Sequence, residues 1–98
     1  MLAIRVVASA SLQIEEAANW WTTNPTSAPL VFVEDLRQAF DLISQQPEIG
    51  AATTNVSLVG VRRVYLARLR YFLYYRVQPS HVEILALWYT SRGTGPEV

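Results

Sequence analysis

The chain contains no cysteine and no lysine, and it has a single histidine. The missing cysteine excludes a disulfide framework, a thiolate metal site and a cysteine nucleophile. One histidine leaves no set of imidazoles from which a metal site is usually built. Because lysine is absent, all eight of the permanently cationic side chains among the 98 residues are arginine guanidiniums. Apolar runs are short, and none approaches the roughly 18 residues that a membrane span requires. Ala8-Ser9-Ala10 has the small-x-small look of an export cleavage site. The apolar stretch before it, Val6-Val7-Ala8, is too short for a signal sequence, so the reading is a soluble, cytoplasmic protein. Glycine-rich phosphate loops, a Ser-His-Asp set, paired catalytic carboxylates and metal-ligand spacings are all missing, and no cofactor or metal is expected.

What is present is enough apolar sequence, 51% of residues, to bury the core of one domain spanning 1–98. The formal net charge is zero, yet it is divided along the chain. Residues 1–49 carry two arginines against six acids, a net of −4, and residues 50–98 carry six arginines against two acids, a net of +4. Such a division can present one basic face on a neutral protein.

Residues 2–8 alternate as a short strand, with Ser9 or Ser11 available as a helix N-cap. Ile14, Ala17, Ala18 and Trp21 then fall at i, i+3, i+4 and i+7, one apolar helical stripe, with Glu15 and Glu16 early in the helix. Asn24-Pro25 stops it. Thr26 or Ser27 can cap a second helix with Pro29 in its first turn, a stripe of Val33, Leu36, Phe40 and Ile43, and Pro47 as its end. Residues 48–60 read as a connection, and three strands follow at about 61–67, 70–77 and 82–89. Val82, Ile84, Ala86 and Trp88 alternate with Glu83, Leu85, Leu87 and Tyr89, so both faces of the last strand are apolar and it belongs inside a sheet. Residues 91–98 read as a loop. The order is β-α-α-β-β-β, an α+β fold with a helical hairpin packed on one mainly antiparallel sheet.

The chemistry resides in arginines interleaved with aromatics. Arg63 and Tyr65 share one face of their strand, and Arg70, Phe72, Tyr74 and Arg76 share one face of the next. Guanidinium forks suit phosphate and carboxylate, and rings stack on bases or fill protein pockets. His81 lies in a Pro-Ser-His turn and reads as a solvated loop residue.

Several segments, in this order, resemble the RelE/ParE superfamily of toxins from type II toxin–antitoxin (plasmid stabilisation) modules. They are Pro47-Glu48-Ile49-Gly50, Gly60-Val61-Arg62-Arg63-Val64, Arg70 to Val77, and Val82 to Tyr89 followed by Arg92-Gly93 and Pro96. The resemblance implies a growth-arresting toxin held inactive by a cognate antitoxin, and it admits a homodimer. ParE-like members inhibit DNA gyrase; RelE-like members cleave mRNA on the ribosome with basic residues on the sheet. Of the positions where RelE-like toxins carry basic or tyrosine groups, Arg63 and Arg92 match. Tyr65 and Phe72 stand where two others would be, and the final tyrosine has no counterpart. The ParE-like reading is therefore preferred, with Arg62, Arg63, Tyr65, Arg70, Trp88, Tyr89 and Arg92 expected to meet the target. An RNase, the alternative, would rely on Arg63, Arg92 and Tyr89; a third reading is a degenerate toxin that only binds antitoxin.

Overall fold

The structure, a computed structural model, describes residues 1–24, 28–54, 56–93 and 95–98. Strand β1 (Ala3–Val6) leads into helix α1 (Ala8–Thr23) and helix α2 (Pro29–Gln45). Then come β2 (Ala51–Ala52), β3 (Val61–Leu66), β4 (Tyr71–Val77) and β5 (His81–Tyr89), followed by a 3₁₀ turn, Thr90–Arg92. The sheet order is β1-β5-β4-β3-β2, with β1 parallel to β5 and the remaining pairs antiparallel. This is the expected α+β arrangement, with the two-residue β2 added inside the stretch read as a connection. Strand β5 is paired on both edges, as its apolar content requires.

Helix α1 begins earlier than the serines suggested. Val7 occupies the N-cap position with no side-chain bond, so Ser9 and Ser11 lie inside the helix. Glu15 and Glu16 consequently sit beyond the first turn, where the helix dipole acts weakly. Asn24 ends the helix as expected. Capping of α2 by Thr26 or Ser27 lies outside the described residues; Ala28 holds the N-cap position and Pro29 the first turn. The α2 stripe holds at Leu36, Phe40 and Ile43 and differs at its start, where Phe32 replaces Val33. Phe32, Leu36, Ala39, Phe40 and Ile43 face the core, while Val33 is 58% exposed. The 100° step per residue lets Phe32 and Val33 only partly share a face, and the larger ring takes the interior.

One core lies between the hairpin and the sheet, where Phe32, Ile43, Leu73, Tyr75, Val82 and Ile84 are essentially fully buried. A smaller one, on the outer face, gathers Val61, Tyr74, Leu85 and Ala86 beneath Val56 and Val98. The backbone N–H groups of Ser57 and Leu58 donate to the Val98 carbonyl oxygen at 2.8 and 3.2 Å, pinning the tail over that face. The two faces are set by a β-bulge: Tyr74 pairs with Ala86 and Tyr75 with Ile84, leaving Leu85 as the extra residue. Strict alternation through β5 is therefore broken. Val82, Ile84 and Leu87 join the helix-side core, and Ala86 and Trp88 lie on the outer side.

The turn after α2 is locked by a buried hydroxyl. Tyr75 Oη accepts from the Gly50 N–H at 2.8 Å and donates to the Pro47 carbonyl at 2.7 Å. A Cβ on Gly50 would lie 2.6 Å from that oxygen and 2.9 Å from the Arg63 carbonyl, so glycine is required by close approach. Burial pushes the Tyr75 phenol above its ordinary value, with the Gly50 N–H opposing the shift. Among the described residues, no helix is long and apolar enough to cross a membrane.

Candidate target-binding face

The antiparallel register brings the arginines and rings of β3, β4 and β5 side by side on the outer face. Arg63 is opposite Tyr74, Tyr65 is opposite Phe72, and Phe72 is opposite Trp88. The Arg63 guanidinium carbon lies 4.0 Å from the centre of the Phe72 ring, and its Nη1 donates to Tyr74 Oη at 3.1 Å. Tyr65 packs on Phe72 with ring centres 5.1 Å apart. At the far end, the Arg92 guanidinium carbon is 4.5 Å from the Trp88 ring centre. The result is a strip with an arginine stacked near each end and Tyr65, half-exposed, among its rings. Cation–π stacking holds each guanidinium flat against a ring while leaving donors at its rim free to meet an anion.

The other expected target-binding residues are distributed elsewhere. Arg62, one step from Arg63, points to the helix side, where its Nη1 donates to the carbonyls of Glu48 and Gly50 at 3.2 and 2.8 Å. Tyr89 is opposite Tyr71 with ring centres 5.2 Å apart, again on the helix side. Arg70 does not share a face with Phe72 and Tyr74. It precedes β4 with φ +61°, a left-handed conformation, and borders a pocket against α1. That rotation breaks the alternation that the sequence pattern assumed. Arg76 remains beside the outer face but is bound at 2.9 Å to Glu83, directly across the sheet. His81 opens β5 rather than lying in the turn, with its Nδ1 3.2 Å from Ser80 Oγ.

Sorting the arginines by partner shows where the +4 half is electrostatically available. Arg68 binds Asp35 through two nitrogens, and the hydrogen bond and charge of that carboxylate push its pKa up. Arg68 and Arg76 are thus neutralised locally. Arg62, Arg63, Arg70 and Arg92 have no carboxylate ion pair among the described residues. Phe72 and Tyr74, which complete the strip, were visible in the sequence as face partners of one another. Trp20 lies outside the set the sequence predicts, although the Trp20-Trp21 pair carries a signal: adjacent residues on a helix are 100° apart, so the two rings do not face one core equally. Trp21 packs on Phe32, and Trp20 is 52% exposed.

Comparison with known proteins places this geometry in a family. A model described as the ParE toxin of the type II toxin–antitoxin system parDE matches residues 4–93. No curated protein matches the sequence. Among solved structures, a chain of the chromosomal ParDE toxin–antitoxin system from P. aeruginosa superposes with a TM-score of 0.71 at 19% identity, over 91% of this chain and 96% of that one. The YoeB dimer from Staphylococcus aureus has the same fold, with a TM-score of 0.64 at 15% identity over 90% and 95% of the two chains. With nearly the whole sequence matched by the family model, the chain belongs to the ParE toxin family of type II toxin–antitoxin systems.

Proposed function

We propose that residues 1–98 act as one cytoplasmic toxin domain that arrests growth by inhibiting DNA gyrase and is neutralised by a cognate antitoxin. The observation that carries this reading over an mRNA endonuclease is the separation of the groups an RNase would need. Arg63 lies on the outer face over Phe72, while Tyr89 packs on Tyr71 at the helix side of the sheet; Arg92 stands at the sheet's end, stacked on Trp88 and bordering the same pocket as Tyr89. His81 stands at the opposite end of the nine-residue β5, roughly 25 Å from Tyr89 at about 3.3 Å per residue. Phe72, the group lying under Arg63, can neither donate a hydrogen bond nor transfer a proton. Proton transfer requires acid and base within hydrogen-bond reach of one scissile group. A stacked Arg and aromatic strip is instead the composition of a protein-binding hot spot.

Arg63, Tyr65, Trp88 and Arg92 are the residues we assign to the target, with Arg62, Arg70 and Tyr89 outside that strip. For the antitoxin, the exposed apolar side chains of the hairpin, Leu12, Leu30 and Val33, support capture of a segment that folds on binding. The test is to express the chain without antitoxin and follow supercoiling and mRNA integrity together. Loss of gyrase supercoiling with intact mRNA is expected, and Arg63→Ala or Arg92→Ala should weaken inhibition by about tenfold or more. Rapid mRNA cleavage with normal supercoiling would overturn the reading, and unimpeded growth at good expression would leave only antitoxin binding.

A further inference from the structure

On the helix side, meeting the strip only at Arg92, a pocket of about 540 Å³ opens between α1 and the ends of β4 and β5. That volume lies within the range of small-molecule sites, about 300–1,000 Å³. Its walls are aromatic: Trp20 from α1, with Tyr71 and Tyr89 from the sheet. Trp20 and Tyr89 are 52% and 38% exposed, so their rings offer surface to an incoming group. Two arginines border the same space, Arg70 and Arg92, the latter with its guanidinium over the Trp88 ring next to it. Arg68 also reaches it but is held by Asp35.

The way Arg70 gets there is unusual. A non-glycine residue at φ +61° is held against its own sterics, and the position would ordinarily suit glycine or asparagine. In that conformation the Arg70 carbonyl accepts from the Thr90 N–H at 3.0 Å. Thr90 begins the 3₁₀ turn that carries Arg92, so this one bond ties the two arginine-bearing segments together at the pocket. An observed backbone outlier that delivers a charged group to a cavity is grounds for a functional hypothesis.

We propose that this pocket binds a nucleoside monophosphate. Arg70 and Arg92 receive the phosphate in the fork geometry suited to its oxygens. The base enters against the exposed faces of Trp20 and Tyr89, which accept a flat ring by stacking. Glu16, the one carboxylate lining the pocket among the described residues, repels the phosphate from the α1 wall and accepts a hydrogen bond from an amino-bearing base. Charge therefore orients the ligand: ring toward the helix, phosphate toward the tied turns.

The test is titration of the purified full chain with GMP, guanosine and inorganic phosphate, read by tryptophan fluorescence and by amide chemical shifts of residues 13–20 and 68–92. GMP is expected to bind about tenfold or more tightly than either half alone, because stacking and charge-assisted bonds act together. Arg70→Gly removes the guanidinium while relieving the left-handed backbone. It should lower GMP affinity about tenfold without lowering the melting temperature, an outcome that a purely structural role for Arg70 does not produce. Trp20→Leu should weaken GMP and guanosine but leave phosphate unchanged. Phosphate binding as tightly as GMP, absence of saturation at about 10 mM GMP, or an unchanged affinity in Arg70→Gly would each overturn the proposal. The titration contains no gyrase, so its failure leaves the gyrase reading standing.

Discussion

Replacing Tyr75 by phenylalanine removes a single oxygen from the molecule, and the structure makes that oxygen costly to lose. Tyr75 is fully buried, and its hydroxyl bonds both the Gly50 N–H and the Pro47 carbonyl. Phenylalanine keeps the ring packing and leaves both backbone groups without their partner. Each buried group so stranded costs about 1–3 kcal/mol, and the Pro47 bond, being partly exposed, belongs at the low end. The expected loss is about 2–4 kcal/mol, a large share of the roughly 5–15 kcal/mol that stabilises a domain of this size. At about 4–8 °C per kcal/mol, the midpoint should fall by about 8–32 °C.

Tyr74→Phe is the internal control. Its hydroxyl only accepts a partly exposed bond from Arg63, so the cost should stay near about 1 kcal/mol. Urea unfolding of both variants, with slopes compared to the parent, measures the difference. Gly50→Ala attacks the same contact from the other side, since its Cβ would overlap the Tyr75 hydroxyl. The double variant Tyr75→Phe/Gly50→Ala should lose less than the two singles summed, because removing the oxygen relieves the tightest of three close approaches, those to the Tyr75 ring at 2.8 Å and the Arg63 carbonyl at 2.9 Å remaining. A Tyr75→Phe midpoint within about 2 °C of the parent, or strict additivity in the double variant, would refute the reasoning.

Ile43→Ala, truncating a fully buried side chain between the hairpin and the sheet, should cost about 2–5 kcal/mol in the same urea assay. Burial raises the pKa of both Tyr71 and Tyr75 above the ordinary value of 10.0. Their unfolded phenols therefore ionise first, and the stability they contribute is intact below pH 10 and is lost as pH rises through the folded values. Denaturation followed from pH 8 upward should show this decline, and Tyr71→Phe should make it shallower. Glu83→Gln weakens a directly opposed cross-strand ion pair with Arg76 and should cost no more than about 1 kcal/mol by urea titration.

The sequence and the structure agree best where periodicity is long. The α1 stripe from Ile14 to Trp21 faces the core as read, and the prolines at 29 and 47 bracket α2. Agreement fails where one residue resets the phase. The extra Leu85 moves Leu87 to the helix side with Val82 and Ile84, and the left-handed Arg70 removes one arginine from the outer face. No local pattern announces either event, because a bulge and a positive φ are decided by what lies across the sheet and beyond the turn.

By itself, the sequence determined every strand and α-helix but the two-residue β2, their order, the interior place of β5 and the excess of basic charge outside the helices. Composition and short-range spacing are local properties, and they survive into any fold the chain adopts. Only the tertiary structure decided which arginines are available. Arg68 and Arg76 meet carboxylates across sequence gaps of 33 and 7 residues, Arg62 is absorbed by two carbonyls of the turn after α2, and Arg63 and Arg92 come to lie on rings. The missing lysine and the neutral total say what kinds of charge the chain has. Strand register and one bulge say where each charge ends up, since a side chain's partner is set by the neighbouring strand rather than by its neighbours in sequence.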